Sequence, residues 1–130
     1  MSIQWDPVKM ATGVAEVDAQ HQEWIRRFND FDEAVTQGKG IEAVGGTLTF
    51  FSAYAETHFY LEEARMSEKH CPAAEANRAD HEQMRVLLAG MRDFMNTRGI
   101  SIVDVDMLRM RMEDWLVRHI MTIDVQLRDC

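Results

Sequence analysis

The chain reads as all-α: an antiparallel up-down-up-down four-helix bundle preceded by an N-terminal arm. Three observations predict this. Apolar residues recur at three- and four-residue steps in four successive segments, glycine- or proline-containing breaks separate those segments, and 130 residues suffice for one core but not two.

Residues 1–17 show no helical pattern and form the arm, which Trp5 is expected to hold against the bundle. Asp18 has N-cap chemistry. His21, Trp24 or Ile25, Phe28, Phe31 and Val35 then share a stripe before Gly38-Lys39-Gly40, which predicts a first helix over about 19 to 37. A second helix over about 42 to 68 carries Leu48, Phe51, Ala55, His58, Glu62 and Arg65 or Met66 on one face. Gly45-Gly46 weakens its first turn by roughly 1 kcal/mol per glycine relative to alanine. Pro72 suits the opening of a third helix, whose stripe is Asn77, His81, Met84, Leu88, Met91 and Met95, ending near Gly99. The fourth begins near Asp104 or Asp106 and carries Leu108, Met112, Trp115, His119 and Ile123. Short connections make sequential helices antiparallel neighbours.

Composition narrows the function classes. Apolar residues make up 46% and charged residues 28% of the chain, a globular balance with no run near the roughly 20 apolar residues of a membrane span. The net charge is −8, and no basic block offers a surface for phosphate backbones, so neither nucleic acid nor membrane is expected as a partner. The opening Met1 to Pro7 lacks the basic and apolar regions of a leader, and the two cysteines, Cys71 and Cys130, suit free thiols in a reducing compartment. A cytoplasmic protein is expected. Of the ten methionines, Met84, Met91, Met95, Met112 and Met121 fall within helical patterns, where methionine usually fills core gaps.

The chemistry lies in the histidines. His58 and Glu62 are four apart, so a helix sets them about 40° apart around its axis and roughly 6 Å along it, able to converge on one buried point. One imidazole on an apolar stripe is more often a hydrogen-bonded core residue than a ligand. Here His21, His58, His81 and His119 put one on each of four stripes, with the carboxylates of Glu62 and Asp124 beside them. Buried carboxylates need compensation, and divalent cations supply it. His119 and Asp124 are five apart, about 140° on a regular helix, so pairing them requires either a long reach or a local π-type turn.

Three segments, Gly13 to His21 (GVAEVDAQH), His58 to Met66 (HFYLEEARM) and Trp115 to Asp124 (WLVRHIMTID), together resemble the bacterial hemerythrins. The resemblance spans nearly the whole chain and implies a single domain over residues 1–130. It also implies two non-haem iron ions with a bridging oxo or hydroxo group and O2 as ligand. By that resemblance Glu62 and Asp124 bridge the metals. His21 and His58 hold the iron that stays open to O2, and His81 and His119 hold the other. Phe59, Met66, Trp115, Leu116 and Ile120 correspond to apolar positions around the oxygen site, where a dry wall discourages attack by water. Trp24 joins them at a position where the family commonly has a smaller aliphatic residue, so its indole is expected to narrow access to the open iron or tilt His21.

One ligand position departs from the family pattern. Four residues before His81, where the family has histidine, this chain has Asn77. Its amide oxygen either ligates directly or holds a water in the vacancy, or the second metal is depleted. His70 is too far along, roughly 16 Å on a helix, with Pro72 between. Asp80 and Glu82 flank His81 by about 100° and are expected to point away from the site, and Glu63 is expected in solvent. The expected function is an O2-binding protein for transport, storage or sensing, monomeric, with O2 as its partner and, for sensing, a separate unidentified protein partner. A di-iron enzyme with peroxidase- or oxidase-like activity through the position opened by Asn77, or an iron-handling module, are the alternatives.

Overall fold

The computed structural model describes residues 2–130, and its helices follow from local signals in order. They are α1 (Ala15–Thr36), α2 (Gly40–Glu68), α3 (Ala74–Thr97), α4 (Ile102–Thr122) and a C-terminal 3-10 helix (Asp124–Asp129). Sequential helices pack side by side and α4 returns against α1, closing an up-down-up-down bundle. No helix among the described residues is long and apolar enough to cross a membrane.

Two helix starts differ from expectation. Asp18 does not cap α1, which begins at Ala15 with Val14 at the cap. Asp18 instead accepts from the backbone N–H and hydroxyl of Thr12, both at 2.8 Å, and so moors the incoming arm to the first turns. The arm is further held by Ile3, whose backbone exchanges two 2.8 Å hydrogen bonds with the Asn29 amide. Ile3 and Met10 are buried, whereas Trp5 is only partly so. α4 starts earlier than predicted, because Ser101 and Asp104 form a reciprocal capping box.

The turns are equally specific. Gly38, at φ 77°, takes the left-handed conformation that ends α1. Gly40 opens α2 where a Cβ would sit 2.7 Å from a Val105 methyl, so the absent side chain lets α2 approach α4. α2 ends in a Schellman motif: Cys71 N–H bonds to Met66 C=O and His70 N–H to Ser67 C=O, with His70 itself at φ 54°.

The core divides into two apolar clusters. The larger holds Trp24, Phe28, Phe51, Phe59, Leu108 and Leu116 among others; the smaller holds Val17, Met66, Cys71, Ala73 and Leu127. The histidine and carboxylate level lies between them, as α1 shows by running Val17, His21, Trp24 from one cluster to the other.

The cysteines overturn the free-thiol reading. Cys71 and Cys130 form a disulfide across 59 residues, with Cα atoms 5.1 Å apart. It ties the 3-10 helix to the α2–α3 turn, next to buried Leu127, whose carbonyl accepts from Lys69 Nζ. The argument for a reducing compartment from unpaired thiols therefore falls.

Candidate metal centre

Six side chains from all four helices and the 3-10 helix meet at this level, each almost fully buried: His21, His58, Glu62, His81, His119 and Asp124. They fall into two groups, His21, His58, Glu62, Asp124 and Glu62, His81, His119, Asp124, whose donor atoms lie within 4.8 Å of one another. Both carboxylates belong to both groups. Glu62 turns Oε2 toward His21 and His58 Nε2, at 3.0 and 3.2 Å, and Oε1 toward His81 and His119 Nε2, at 2.8 and 3.4 Å. Asp124 repeats the division, with Oδ2 2.9 Å from His21 Nε2 and Oδ1 2.9 Å from His119 Nε2.

Asp124 reaches this place by neither predicted route. The α-helix stops at Thr122, and Ile123 (φ −105°, ψ −56°) leads into the 3-10 helix that begins at Asp124. The break in the regular helix at Ile123, rather than a π-type turn, therefore sets the direction of the Asp124 side chain.

Three of the four outward nitrogens are also engaged, by Gln20, Glu63 and Asp80, while His21 Nδ1 is buried without a hydrogen-bond partner. Gln20 Oε1 lies 2.8 Å from His58 Nδ1, Glu63 Oε2 2.9 Å from His81 Nδ1, and Asp80 Oδ2 2.5 Å from His119 Nδ1. Asp80 is thus buried against α4, where Arg118 also contacts it at 3.3 Å, and Glu63 is half-buried. Glu82 and His70 are exposed, as expected. The overlooked signal is adjacency: Gln20, Glu63 and Asp80 are each next in sequence to His21, Glu62 and His81. A rotation of about 100° carries a side chain from the bundle centre to the seam with the next helix, where it meets that helix's histidine.

These outer contacts allow a test of whether a cation suits the site. Acceptors on Nδ1 fix the proton there and leave Nε2 with a lone pair facing inward. His81 Nε2 and His119 Nε2 then face each other at 3.1 Å, with Glu62 Oε1 beside both. Asp124 Oδ2 is buried without an aligned hydrogen bond. Lone pairs converging on one region repel unless a positive charge lies among them, and nitrogen and oxygen donors of this kind suit a first-row divalent metal. The residues fit the group.

Protons show the same demand for positive charge. Burial alone would lower His21, but Asp124 and Glu62 beside it raise it to about 9. His119 is likewise driven down by burial and raised well above its ordinary value by Asp124, Asp80 and Glu62. Burial would raise Glu62, yet His58, His119 and His21 hold it well below the usual carboxylate range. His58 is lowered, chiefly by burial.

The aromatic residues frame the centre on the larger-cluster side. Phe59 stacks on His81, with centroids 3.8 Å apart and planes within 8°, and Trp115 stacks on His119 at 4.4 Å and 9°. Trp24 sets an edge against His58 at 5.5 Å and lies over Phe51, so it meets that imidazole as well as its own helix's histidine level. Leu116 and Ile120 are buried in the same cluster. Met66 belongs to the smaller cluster, on the other side of the histidine and carboxylate level.

Asn77 is fully buried, and the end of its amide facing the centre is close to four acceptors. Residues 12–127 match the family described as Hemerythrin HHE cation binding domain. No curated protein sequence matches the chain. Among solved structures, one titled as wild-type hemerythrin is 22% identical with TM-score 0.80, over 98% of this chain and 96% of that one. A leucine-to-tyrosine mutant of hemerythrin is 22% identical with TM-score 0.81, over 98% and 95%. At that identity the likeness establishes the four-helix fold. The family match over nearly the whole bundle establishes more: the chain belongs to the hemerythrin HHE cation-binding domain family.

Proposed function

We propose that the chain is a non-haem di-iron protein that binds O2, as a carrier, store or sensor. The observation that carries this reading is the sharing of Glu62 and Asp124 between two pairs of imidazoles, with one oxygen of each carboxylate turned to each pair. His21 and His58 would hold one iron and His81 and His119 the other. When bound, such a pair supplies the electrons by which O2 is reversibly held.

The chain's own residues set the conditions. Gln20, Glu63 and Asp80 orient three of the imidazoles and hold the proton on Nδ1. Phe59, Trp115, Trp24, Leu116 and Ile120 present hydrocarbon and ring faces that keep water away. Four imidazoles against two carboxylates are also a less anionic set than the four carboxylates and two histidines of ferritin-like di-iron sites. That balance stabilises high-valent iron less and favours holding O2 over cleaving it.

The test is anaerobic loading with Fe(II), metal analysis, and an absorption spectrum before and after air. Two irons per chain and a visible charge-transfer band that fades when O2 is removed are expected. Iron that does not stay bound, or loaded protein whose spectrum ignores O2, overturns the reading. Irreversible bleaching with consumption of added peroxide would move the protein to the enzyme class.

A further inference from the structure

We propose that Asn77 is a direct amide ligand of the second cation position, the one formed by His81, His119, Glu62 and Asp124, and that it fills this place with its NH2 when no cation is bound. The inference rests on the two-cation reading and adds a residue to it.

The end of the Asn77 amide that faces the centre is 2.9 Å from Glu62 Oε1, 3.0 Å from His81 Nε2, 3.1 Å from His119 Nε2 and 3.2 Å from Asp124 Oδ1. With both imidazoles neutral and their protons on Nδ1, all four are acceptors. The NH2 end placed there donates, but it has two protons, so at most two of the four acceptors are satisfied. Turning the amide about its last torsion replaces NH2 by the carbonyl oxygen at the same spot. That oxygen becomes a fifth lone-pair donor aimed at the same region, an arrangement that a cation alone makes favourable.

Spacing decides between direct ligation and a water held by Asn77. Neighbouring donors around an octahedral ion with bonds of about 2.1 Å are about 3.0 Å apart. The amide end is separated from the other donors by just such distances, like those the donors keep among themselves. An interposed water would need Asn77 to withdraw by roughly a hydrogen-bond length, about 2.8 Å. No such gap exists, so the water-mediated alternative is set aside. A neutral amide oxygen is a weaker and harder donor than imidazole. The two cation positions are therefore unequal, with the Asn77 position the more easily emptied.

The experiment titrates Fe(II) anaerobically, against a competing chelator, into wild type, Asn77→Ala and Asn77→Asp. Amide resonances are followed with Zn(II) as a diamagnetic probe. Wild type should take up two equivalents of unequal affinity, and the Asn77 side-chain NH2 resonances should move with the second equivalent and not the first. Asn77→Ala should weaken the second equivalent at least tenfold and leave the first within about twofold; Asn77→Asp, which adds charge at constant shape, should tighten the second at least tenfold. Should Asn77→Ala not fold, Asn77→Asp decides. Wild-type affinity for both equivalents in either folded variant overturns the proposal while the two-cation reading survives. Two equivalents with the expected variant effects but no response to O2 leave Asn77 as a ligand and remove only the O2 function. No uptake of cation by wild type removes both.

Discussion

Replacing Asp80 by asparagine tests whether the outer contacts tune the metal position. Asp80 Oδ2 is 2.5 Å from His119 Nδ1, and the carboxylate is 6% exposed, so water screens the contact little. Asparagine keeps the shape and one acceptor oxygen but removes the charge. A hydrogen bond to a charged group contributes about 1.5–3 kcal/mol and a neutral one about 1 kcal/mol. The difference of about 1–2 kcal/mol corresponds to roughly 5- to 30-fold in affinity, overlapping the lower part of the range of about 10- to 100-fold seen when such supporting groups are changed. The lost Arg118 contact adds little, because that guanidinium is 44% exposed. We expect Asp80→Asn to weaken the second equivalent about tenfold and the first hardly at all, measured by chelator competition on protein shown by circular dichroism to be folded. Gln20→Ala, acting on His58, should produce the opposite selectivity. Affinities within twofold of wild type for both equivalents of Asp80→Asn would refute the idea that the 2.5 Å contact tunes His119.

In the metal-free protein His21 has its pKa raised from the ordinary 6.5 to about 9. Its contribution to stability is therefore complete below pH about 6.5 and lost as pH rises through about 9. Urea unfolding of metal-free protein should show falling stability across that window, while cation affinity rises because the competing proton leaves; flat stability between these pH values counts against the His21 environment. Cys71→Ser opens a tether spanning 59 residues, for which chain entropy gives a loss of up to about 4 kcal/mol. The urea midpoint of wild type should drop on adding reductant and that of the variant should not. A wild-type midpoint indifferent to reductant refutes the tether.

The four helices and five of the centre-facing residues, His21, His58, Glu62, His81 and His119, were legible because a three- and four-residue period reports which side chains share a face. What periodicity cannot report is the seam. Asp80 and Glu63 lie about 100° from the core stripe, a position that reads as solvent on an isolated helix and becomes an inter-helix contact only once a neighbour is placed. Asp124 was awkward because a regular helix was extended to it, whereas the change to 3-10 geometry after Ile123 has no strong local signature. Asp18 shows that the right residue type at a helix start can serve the preceding arm rather than the cap. The disulfide was out of reach of spacing alone, since two cysteines separated by 59 positions are joined only if the fold brings their Cα atoms together.

The offset between inward and seam-facing neighbours constrains anyone who would transplant this centre. Gln20-His21, Glu62-Glu63 and Asp80-His81 each serve twice, one side chain for the middle and its neighbour for an imidazole on the adjoining rod. The transferable part is therefore a dipeptide in correct rotational register. A graft that moved single histidines would recreate the donors and lose the groups that aim them.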